Sequence, residues 1–358
     1  DAQLTLELWQ EMKKEILHQD IQDIFDMETA LFPVLVDMRF LGVRVDVDRA
    51  AVEKRRMVEE EKRLLGGVYA ETGQEVQIWA ARSIAKVFDK LGLPYDRTVK
   101  TGAPSFTKNF LANHPNTIVQ AIAKAREINK AHTTFIDTIL KYSGRGRIHA
   151  EINQLRGDGG GTVTGRFSMN NPNLQQIPAR NKDLGPRIRS LFIPEEGCKW
   201  GCFDYSQQEP RLVVHYAALQ GFYSVEDVVE AYKSENADFH KIVADMADIP
   251  RTQAKTINLG LFFGIHKPLP HDDALTEHGP GIRRAFTYKA LNRLIQGSAA
   301  DMTKKAMIDL HSEGIIPHLQ VHDELDISIE NKKESEKIKE IMESTVSLEV
   351  PNKVDYEE

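Results

Sequence analysis

Four residues follow one another at intervals of four along one segment: Arg251, Lys255, Leu259 and Phe263. On a helix this spacing places them on one face, and each step rises about 6 Å. The two cations near the helix N-terminus suit a polyphosphate, and the aliphatic and aromatic residues that follow suit a stacked base. A half-buried helix with two solvent-facing cations would show the same pattern, so the spacing alone leaves both interpretations open.

Two carboxylates, Asp204 and Asp323, lie at the ends of predicted strands, one before a helix and one in a hairpin turn. Carboxylates in such positions can converge in space and hold two divalent cations. The separation of 119 residues does not establish that they converge. An Asp-Glu pair in a turn, here Asp323 and Glu324, is also ordinary solvated turn chemistry.

The neighbouring segments predict the elements that must position these residues. Residues 197–204 predict a strand and residues 209–219 a helix, in which Pro210 suits the first turn because its missing N–H is no loss there. A further helix begins after Pro250. Residues 316–329 alternate as two strands around a tight turn, and residues 332–345 predict a helix with a solvated charged face.

The first part of the chain predicts a helical arm. A helix over residues 21–40 leads to a short alternating strand at 42–47, and Asp48 then caps a helix that extends to Tyr69. Turn-forming residues cluster at 92–104. A second long helix covers residues 116–142, with Ile118, Ile122 and Ala125 inward and with Lys124, Arg126, Lys130 and Lys141 at the surface.

Composition places the chain among globular proteins. It has 358 residues, which suggests two or three domains, and it is 41% hydrophobic and 28% charged, which excludes a disordered chain. No apolar run is long enough to span a membrane and no secretory signal is present, so we expect a cytoplasmic protein without a membrane partner. Cys198 and Cys202 are predicted to be small core residues rather than metal ligands.

The distribution of charge is more informative than the net charge of −7. Residues 86–147 contain eleven basic and four acidic residues, whereas residues 323–358 contain five basic and twelve acidic residues. A basic region within an acidic chain is what a protein needs if it contacts phosphate along one surface. A solvated basic helix face would give the same distribution.

Six segments, taken together and in their order along the chain, favour a functional interpretation of these patterns. They are Thr164 to Ser168, Pro172 to Pro178, Asp204 to Arg211, Arg251 to Gly264, Gln296 to Asp301 and Val321 to Glu324. Together they resemble the polymerase domain of family A DNA polymerases, the DNA polymerase I type, with a bacteriophage-like character. The resemblance covers essentially the whole chain.

The resemblance implies an α+β protein with the right-hand polymerase fold, which has an antiparallel palm sheet, a helical thumb and helical fingers. The implied domains are the end of a proofreading-domain link with the start of the palm (1–47), thumb (48–141), palm (142–210), shortened fingers (211–290) and palm (291–358).

The implied reaction is template-directed DNA synthesis in replication or repair. A primer 3′-hydroxyl attacks the α-phosphate of a dNTP and releases pyrophosphate. Asp204 and Asp323 resemble the ligands of two Mg²⁺ ions, the backbone carbonyl of Tyr205 is a further ligand, and Glu324 supports the site. The implied partners are primer–template DNA and dNTPs. The protein is expected to act as a monomer, and the sequence identifies no replisome partner.

The resemblance also implies roles for individual side chains. Contacts to the incoming nucleotide would come from Arg251, Lys255, His240, Gln207, Leu259 and Phe263. Lys255 is also a candidate proton donor to pyrophosphate, and Glu209 resembles the steric gate that blocks a ribose 2′-hydroxyl. Contacts to DNA would come from Arg166, Asn292, Gln296, His322 and Arg180. Leu259 departs from the usual Phe or Tyr, and Phe263 lacks the hydroxyl of the more usual Tyr.

Two segments depart more strongly from the family pattern. Only residues 265–285 connect Gly264 to Phe286, where the family has several dozen more residues in the outer fingers. Either the protein is shortened or residues are omitted from this sequence, and we favour the omission. The start at Asp1 resembles the end of a 3′–5′ proofreading domain, and one carboxylate cannot run that reaction, so we expect no proofreading by this chain.

Two other functions fit parts of the pattern. A single-subunit RNA polymerase would share the two aspartates and the Arg/Lys helix, but Glu209 and the triplet from His322 to Glu324 argue for DNA synthesis. A catalytically incomplete module that only holds primer–template DNA would fit the shortened fingers, but the intact Asp204 and Asp323 argue against it.

Overall fold

The computed structural model of the chain describes residues 1–157, 160–178, 181–222, 225–233, 238–262 and 290–358. The helices are α1 (Ala2–His18), α2 (Gln22–Leu41), α3 (Val47–Thr72), α4 (Ala81–Leu91), α5 (Lys108–Ala112), α6 (Thr117–Lys130), α7 (Asp137–Tyr142), α8 (Leu184–Arg189), α9 (Gln208–Leu219), α10 (Val225–Lys233), α11 (Phe239–Ala247), α12 (Arg251–Phe262), α13 (Ala290–Ser312) and α14 (Lys332–Ser344). A π-helical turn covers Ala131–Ile136 and a 3₁₀ turn covers Leu174–Gln176.

The strands are β1 (Val43–Arg44), β2 (Asp96–Arg97), β3 (Pro104–Ser105), β4 (Ser143–Gly144), β5 (Arg147–Ile148), β6 (Glu151–Asn153), β7 (Ser168–Asn170), β8 (Lys199–Tyr205), β9 (Leu319–Val321), β10 (Glu324–Ile329) and β11 (Val354–Glu357). The chain forms two compact units. One contains residues 1–42, 150–175 and 194–358, and the other contains 43–149 and 176–193.

An antiparallel sheet with strand order β11-β8-β10-β9 is the centre of the first unit. Side chains alternate between its two faces, and Phe203, Tyr205, Leu325 and Ile327 lie on the face that is buried. Helices α2, α13 and α14 contribute to the same core, as Met307 illustrates. The sheet therefore has one apolar face covered by helices, and its polar residues lie on the opposite face.

The helices after β8 pack on α13 as well as on one another. Nε2 of Gln208 in α9 donates to the carbonyl oxygen of Ala299 and to Oγ1 of Thr303, both at 3.2 Å. The hydroxyls of Tyr216 and Ser298 lie 2.7 Å apart. The buried hydrogen bonds of Gln208 fix the start of α9 next to position 209.

The second unit is built on α3 and α6. Asp46 caps α3, because its extended backbone allows Oδ1 to accept from the N–H of Arg49 at 2.9 Å. The prediction of Asp48 as the cap was therefore wrong. The predicted helix over 116–142 is interrupted by the π-helical turn, which contains buried His132, with Nε2 2.8 Å from Oε2 of Glu61.

Arg126 differs from its predicted surface position. Its guanidinium donates to the carbonyl oxygens of Ile78 (2.5 Å) and Phe106 (3.0 Å), and burial lowers the pKa of Arg126. Arg126 therefore joins loops of its own unit. Among the described helices, none has the combination of length and apolar composition needed to cross a membrane.

Candidate active site

The two carboxylates singled out in the sequence are adjacent in the fold. Asp204 lies near the end of β8, and Asp323 lies in the turn that precedes β10, the strand paired with β8. The backbone N–H of Tyr205 donates to the carbonyl oxygen of Asp323 at 3.3 Å. The antiparallel register thus brings together two residues that are far apart in the sequence.

The turn that carries Asp323 is held by side chains from another segment. His322 adopts a left-handed backbone conformation with φ of 62°, which allows the tight turn between β9 and β10. Nε2 of Gln320 donates to the carbonyl oxygen of His322, and Nε2 of Gln175 donates to Oε1 of Gln320 at 3.1 Å. The turn is therefore held at His322, directly before Asp323.

The polar face of the sheet concentrates negative charge around Asp204. Glu324 and Asp355 lie directly opposite it on the two neighbouring strands. Burial raises the pKa of Asp204 to about 7, with further contributions from Asp323, Glu324, Asp355 and Glu357. Burial also raises the pKa of Asp323, and this rise is opposed first by a hydrogen bond from the backbone N–H of Asp323 and then by the charges of Arg166 and His322.

This donor set fits hard divalent cations. Carboxylate oxygens are the ligands that Mg²⁺ prefers, and a divalent cation would relieve the repulsion that raises the pKa of Asp204. Asp204 and Asp323 could both contribute ligands to such a cation, and the described residues also bring the ligand atoms of Cys202, Glu324 and Asp326 within 4.8 Å of one another on the same face.

The repulsion predicts a stabilising substitution in the metal-free protein. The folded state raises the pKa of Asp204 from 3.8 to about 7, so it binds more protons than the unfolded state between these values, and stability is lost as pH rises through that range. We expect Asp204→Asn to flatten this loss and to raise the free energy of unfolding at about pH 8 in EDTA by about 2 kcal/mol.

Denaturant unfolding across the pH range measures this effect. The matched control is Glu313→Gln, which neutralises an exposed carboxylate paired with Lys337 and should leave the slope unchanged. Added Mg²⁺ should stabilise the wild-type chain more than Asp204→Asn. Equal or lower stability of Asp204→Asn at every pH would contradict the electrostatic account.

Glu209 lies in the first turn of α9 and forms an ion pair with Arg166. Burial raises the pKa of Glu209, nearby Asp323 raises it further, and Arg166 lowers it. Gln207 has a left-handed backbone, and its Oε1 accepts from the N–H of Phe239 at 3.0 Å. In this structure Gln207 links the end of β8 to the start of α11.

A cationic group lies where α11 and α12 pack together. Nε of Arg251 donates to Oδ2 of Asp238 at 2.5 Å, and Nδ2 of Asn258 lies 3.1 Å from Nδ1 of His240. Burial lowers the pKa of His240, and Arg251 and Lys255 lower it further. The side chain of Lys255 is exposed. The three predicted phosphate-contacting residues are thus neighbours.

The other predicted site residues lie on α13 or in the turn before β10, or fall outside the residues that the structure describes. Asn292 and Gln296 lie on α13, where Oδ1 of Asn292 is buried without a hydrogen-bond partner among the described residues. His322 is exposed. Phe263, Arg180, the side chain of Leu259 and residues 265–285 fall outside the described residues.

The structure also reveals residues that the sequence interpretation missed. Asp355 joins the site through the pairing of β11 with β8. The ligand atoms of Cys202, Glu324 and Asp326 all lie within 4.8 Å of one another. Cys198 and Cys202 are half-buried rather than core residues. Cys198 precedes β8, and Cys202 shares the polar face of β8 with Asp204. Strand alternation would have placed Cys202 on that face.

The comparisons with known proteins agree with this geometry. The sequence profile of DNA polymerase family A matches residues 48–269 and 271–358. The chain is 31% identical over 455 aligned positions to the DNA-directed DNA polymerase of Pseudomonas phage M6, covering 100% of this chain and 68% of that protein. It is 31% identical over 417 positions to DNA polymerase I of Geobacillus stearothermophilus, covering 95% and 46%.

A solved structure supports the fold. The POL domain of Pol1 from M. smegmatis, in complex with a DNA primer-template and dNTP, matches with a TM-score of 0.78 at 24% identity, over 98% of this chain and 73% of that chain. The chain belongs to DNA polymerase family A. This confirms the predicted family, the α+β polymerase fold and the DNA polymerase class, and it argues against the RNA polymerase alternative.

The alignments also bear on the length of the chain. The match to the phage protein extends over 455 positions, whereas this chain has 358 residues. The phage protein therefore has residues without counterparts here, and the predicted shortening between Gly264 and Phe286 stays a prediction.

Proposed function

We propose that this chain extends a primer on a DNA template by nucleotidyl transfer from dNTPs. A primer 3′-hydroxyl would attack the α-phosphate and release pyrophosphate. The observation that carries this proposal is that Asp204 and Asp323 lie close together at one end of strands β8 and β10, within a cluster of carboxylates that fits divalent cations.

The metal-binding residues would be Asp204 and Asp323, with the carbonyl of Tyr205 as a further ligand and Glu324 in support. Two Mg²⁺ ions bound there would lower the pKa of the attacking hydroxyl and neutralise charge on the triphosphate. The protein itself contributes the fixed turn at Asp323 and the antiparallel pairing that sets the spacing of the two carboxylates.

The triphosphate would bind at the start of α12. Arg251, Lys255 and His240 lie together there, and the amide groups at the N-terminus of α12 add to the attraction for anions. Arg251 pairs with Asp238, and its side chain is 48% exposed, so a triphosphate that binds here would compete with that carboxylate for the guanidinium. Lys255 is exposed and would donate a proton to the leaving pyrophosphate.

The remaining predicted residues would contact the incoming nucleotide, the templating base and the DNA near the primer terminus. Leu259 and Phe263 would pack on the incoming base and the templating position, Glu209 would exclude a ribose 2′-hydroxyl, and Gln207 would support the nucleotide site. The minor groove of the terminal base pairs would contact Arg166, Asn292 and Gln296, the primer terminus would contact His322, and Arg180 would contact the DNA backbone.

The proposed function also assigns a role to each region of the chain. Residues 48–141 would be the thumb, 142–210 and 291–358 the palm, 211–290 the fingers, and 1–47 the link and first palm residues. The basic segment 86–147, with eleven basic and four acidic residues, would hold the duplex through its phosphates, with affinity that falls as salt rises.

Extension of a labelled primer annealed to a longer template tests the proposal. With Mg²⁺ and dNTPs we expect the primer to lengthen to the end of the template, and EDTA to stop it. A protein that only holds DNA would retard the duplex in a binding assay and add no nucleotide, and that result would overturn the proposal.

Sugar selection gives a separate prediction. We expect Glu209→Ala to raise incorporation of rNTPs relative to dNTPs by about a hundredfold, because the carboxylate no longer excludes the 2′-hydroxyl. Single-nucleotide kinetics with matched dNTP and rNTP pairs measure the ratio. Preference for rNTPs by the wild-type chain, or an unchanged ratio in Glu209→Ala, would show that Glu209 is not the gate.

A further inference from the structure

The ion pair between Arg166 and Glu209 joins two side chains that the sequence interpretation assigned to separate tasks. Nη2 of Arg166 donates to Oε1 of Glu209. Both side chains are largely buried, with exposed fractions of 27% and 14%. Within the described part of the chain, this contact is the sole hydrogen bond of either side chain.

A buried carboxylate at this position needs such a partner. Glu209 has lost much of its hydration, and Asp323 lies close enough to repel it. Without a cation, Glu209 would either turn towards solvent or take up a proton, because an unpaired buried charge is costly. Either change would move or neutralise the group that the incoming sugar meets.

Arg166 is itself fixed. It lies two residues before β7 and lines a small cleft with Phe167, Gln175 and His322. Phe167 is buried in the core of the first unit. The guanidinium of Arg166 therefore extends from a segment anchored in the core, and its ion pair holds the carboxylate of Glu209 in one position.

We propose that Arg166 is a positioning residue for sugar selection, holding the carboxylate of Glu209 where it excludes a ribose 2′-hydroxyl. This inference rests on the proposed function. It gives Arg166 a role distinct from its predicted contact with the minor groove. A lost minor-groove contact would slow dNTP and rNTP incorporation alike, whereas a misplaced Glu209 changes the ratio between them.

The experiment compares that ratio, as kcat/KM for a dNTP over kcat/KM for the matching rNTP, in the wild type, Arg166→Gln, Arg166→Lys and Glu209→Gln. We expect Arg166→Gln to lower the ratio by about tenfold or more, and Arg166→Lys, which keeps the charge, to restore part of it. The ratio is independent of the fraction of enzyme that is folded, so loss of stability alone does not change it.

The double variant Arg166→Gln with Glu209→Gln provides the sharper test. If Arg166 acts through Glu209, the double variant has the same ratio as Glu209→Gln alone. The control is Arg187→Gln, which removes a cation of similar exposure (24%) from its ion pairs with Glu53, Glu60 and Asp183 and should keep the wild-type ratio.

The outcomes separate this inference from the proposed function. No extension by the wild-type chain would overturn the proposed function. Extension with sugar selection that Glu209→Gln reduces and Arg166→Gln preserves would overturn the positioning role alone. Equal loss of dNTP and rNTP incorporation in Arg166→Gln would also overturn it, and would leave Arg166 as a DNA contact only.

Discussion

Asp323→Asn is expected to lower the rate of primer extension by about a thousandfold or more. The substitution keeps the shape of the side chain and removes the negative charge that a divalent cation needs. The turn should survive, because hydrogen bonds of Gln320 and Gln175 also hold it, and these do not involve the Asp323 carboxylate. Rapid mixing of the preformed enzyme–DNA complex with dNTPs and Mg²⁺ measures the rate.

DNA binding separates a chemical defect from a folding defect. The carboxylate cluster repels phosphate, so Asp323→Asn should bind primer–template DNA at least as tightly as the wild type. Glu313→Gln, an exposed substitution in the same unit, should extend normally. Extension by Asp323→Asn at a rate close to that of the wild type would remove Asp323 from the proposed metal site.

Lys255→Ala is expected to have the second largest effect, a fall of about a hundredfold in the rate of nucleotide addition. The exposed ammonium is proposed both to bind the triphosphate and to donate a proton to pyrophosphate. Lys255→Arg should restore nucleotide affinity more than rate, because a guanidinium holds its proton too strongly to donate it. Pre-steady-state titration with dNTP separates the two quantities.

The control for charge is Lys233→Ala, which removes an exposed lysine paired with Glu230 on α10 and should leave both quantities unchanged. If Lys255→Ala raises the apparent dissociation constant of the dNTP and leaves the maximal rate intact, Lys255 binds phosphate and does not transfer the proton.

Local patterns predicted the elements of the site well. The strand predicted at 197–204 is β8 at Lys199–Tyr205, and the helix predicted after Pro250 is α12 at Arg251–Phe262. These elements follow from alternation, helical spacing and turn residues, all of which act over a few positions. The order of six motifs then predicted the family, which the comparisons confirmed.

Contacts between segments that are distant in the sequence could not be predicted from local patterns. Asp355 enters the site only because β11 pairs with β8, and no local pattern reports that register. The ion pair between Arg166 and Glu209 joins residues that are 43 positions apart in the sequence, so no pattern within a few positions could predict it. The cap at Asp46 was missed for a local reason, because two aspartates close together offer competing helix starts.

Template dependence is the most direct test of the central claim. Four templates that differ only at the first unpaired base would be annealed to one primer, and each of the four dNTPs would be supplied singly with Mg²⁺. We expect addition of the complementary nucleotide on each template, and little addition of the other three. Addition that ignores the template, or addition of none of the four by a chain that binds the duplex, would contradict the assignment of templated DNA synthesis to this chain.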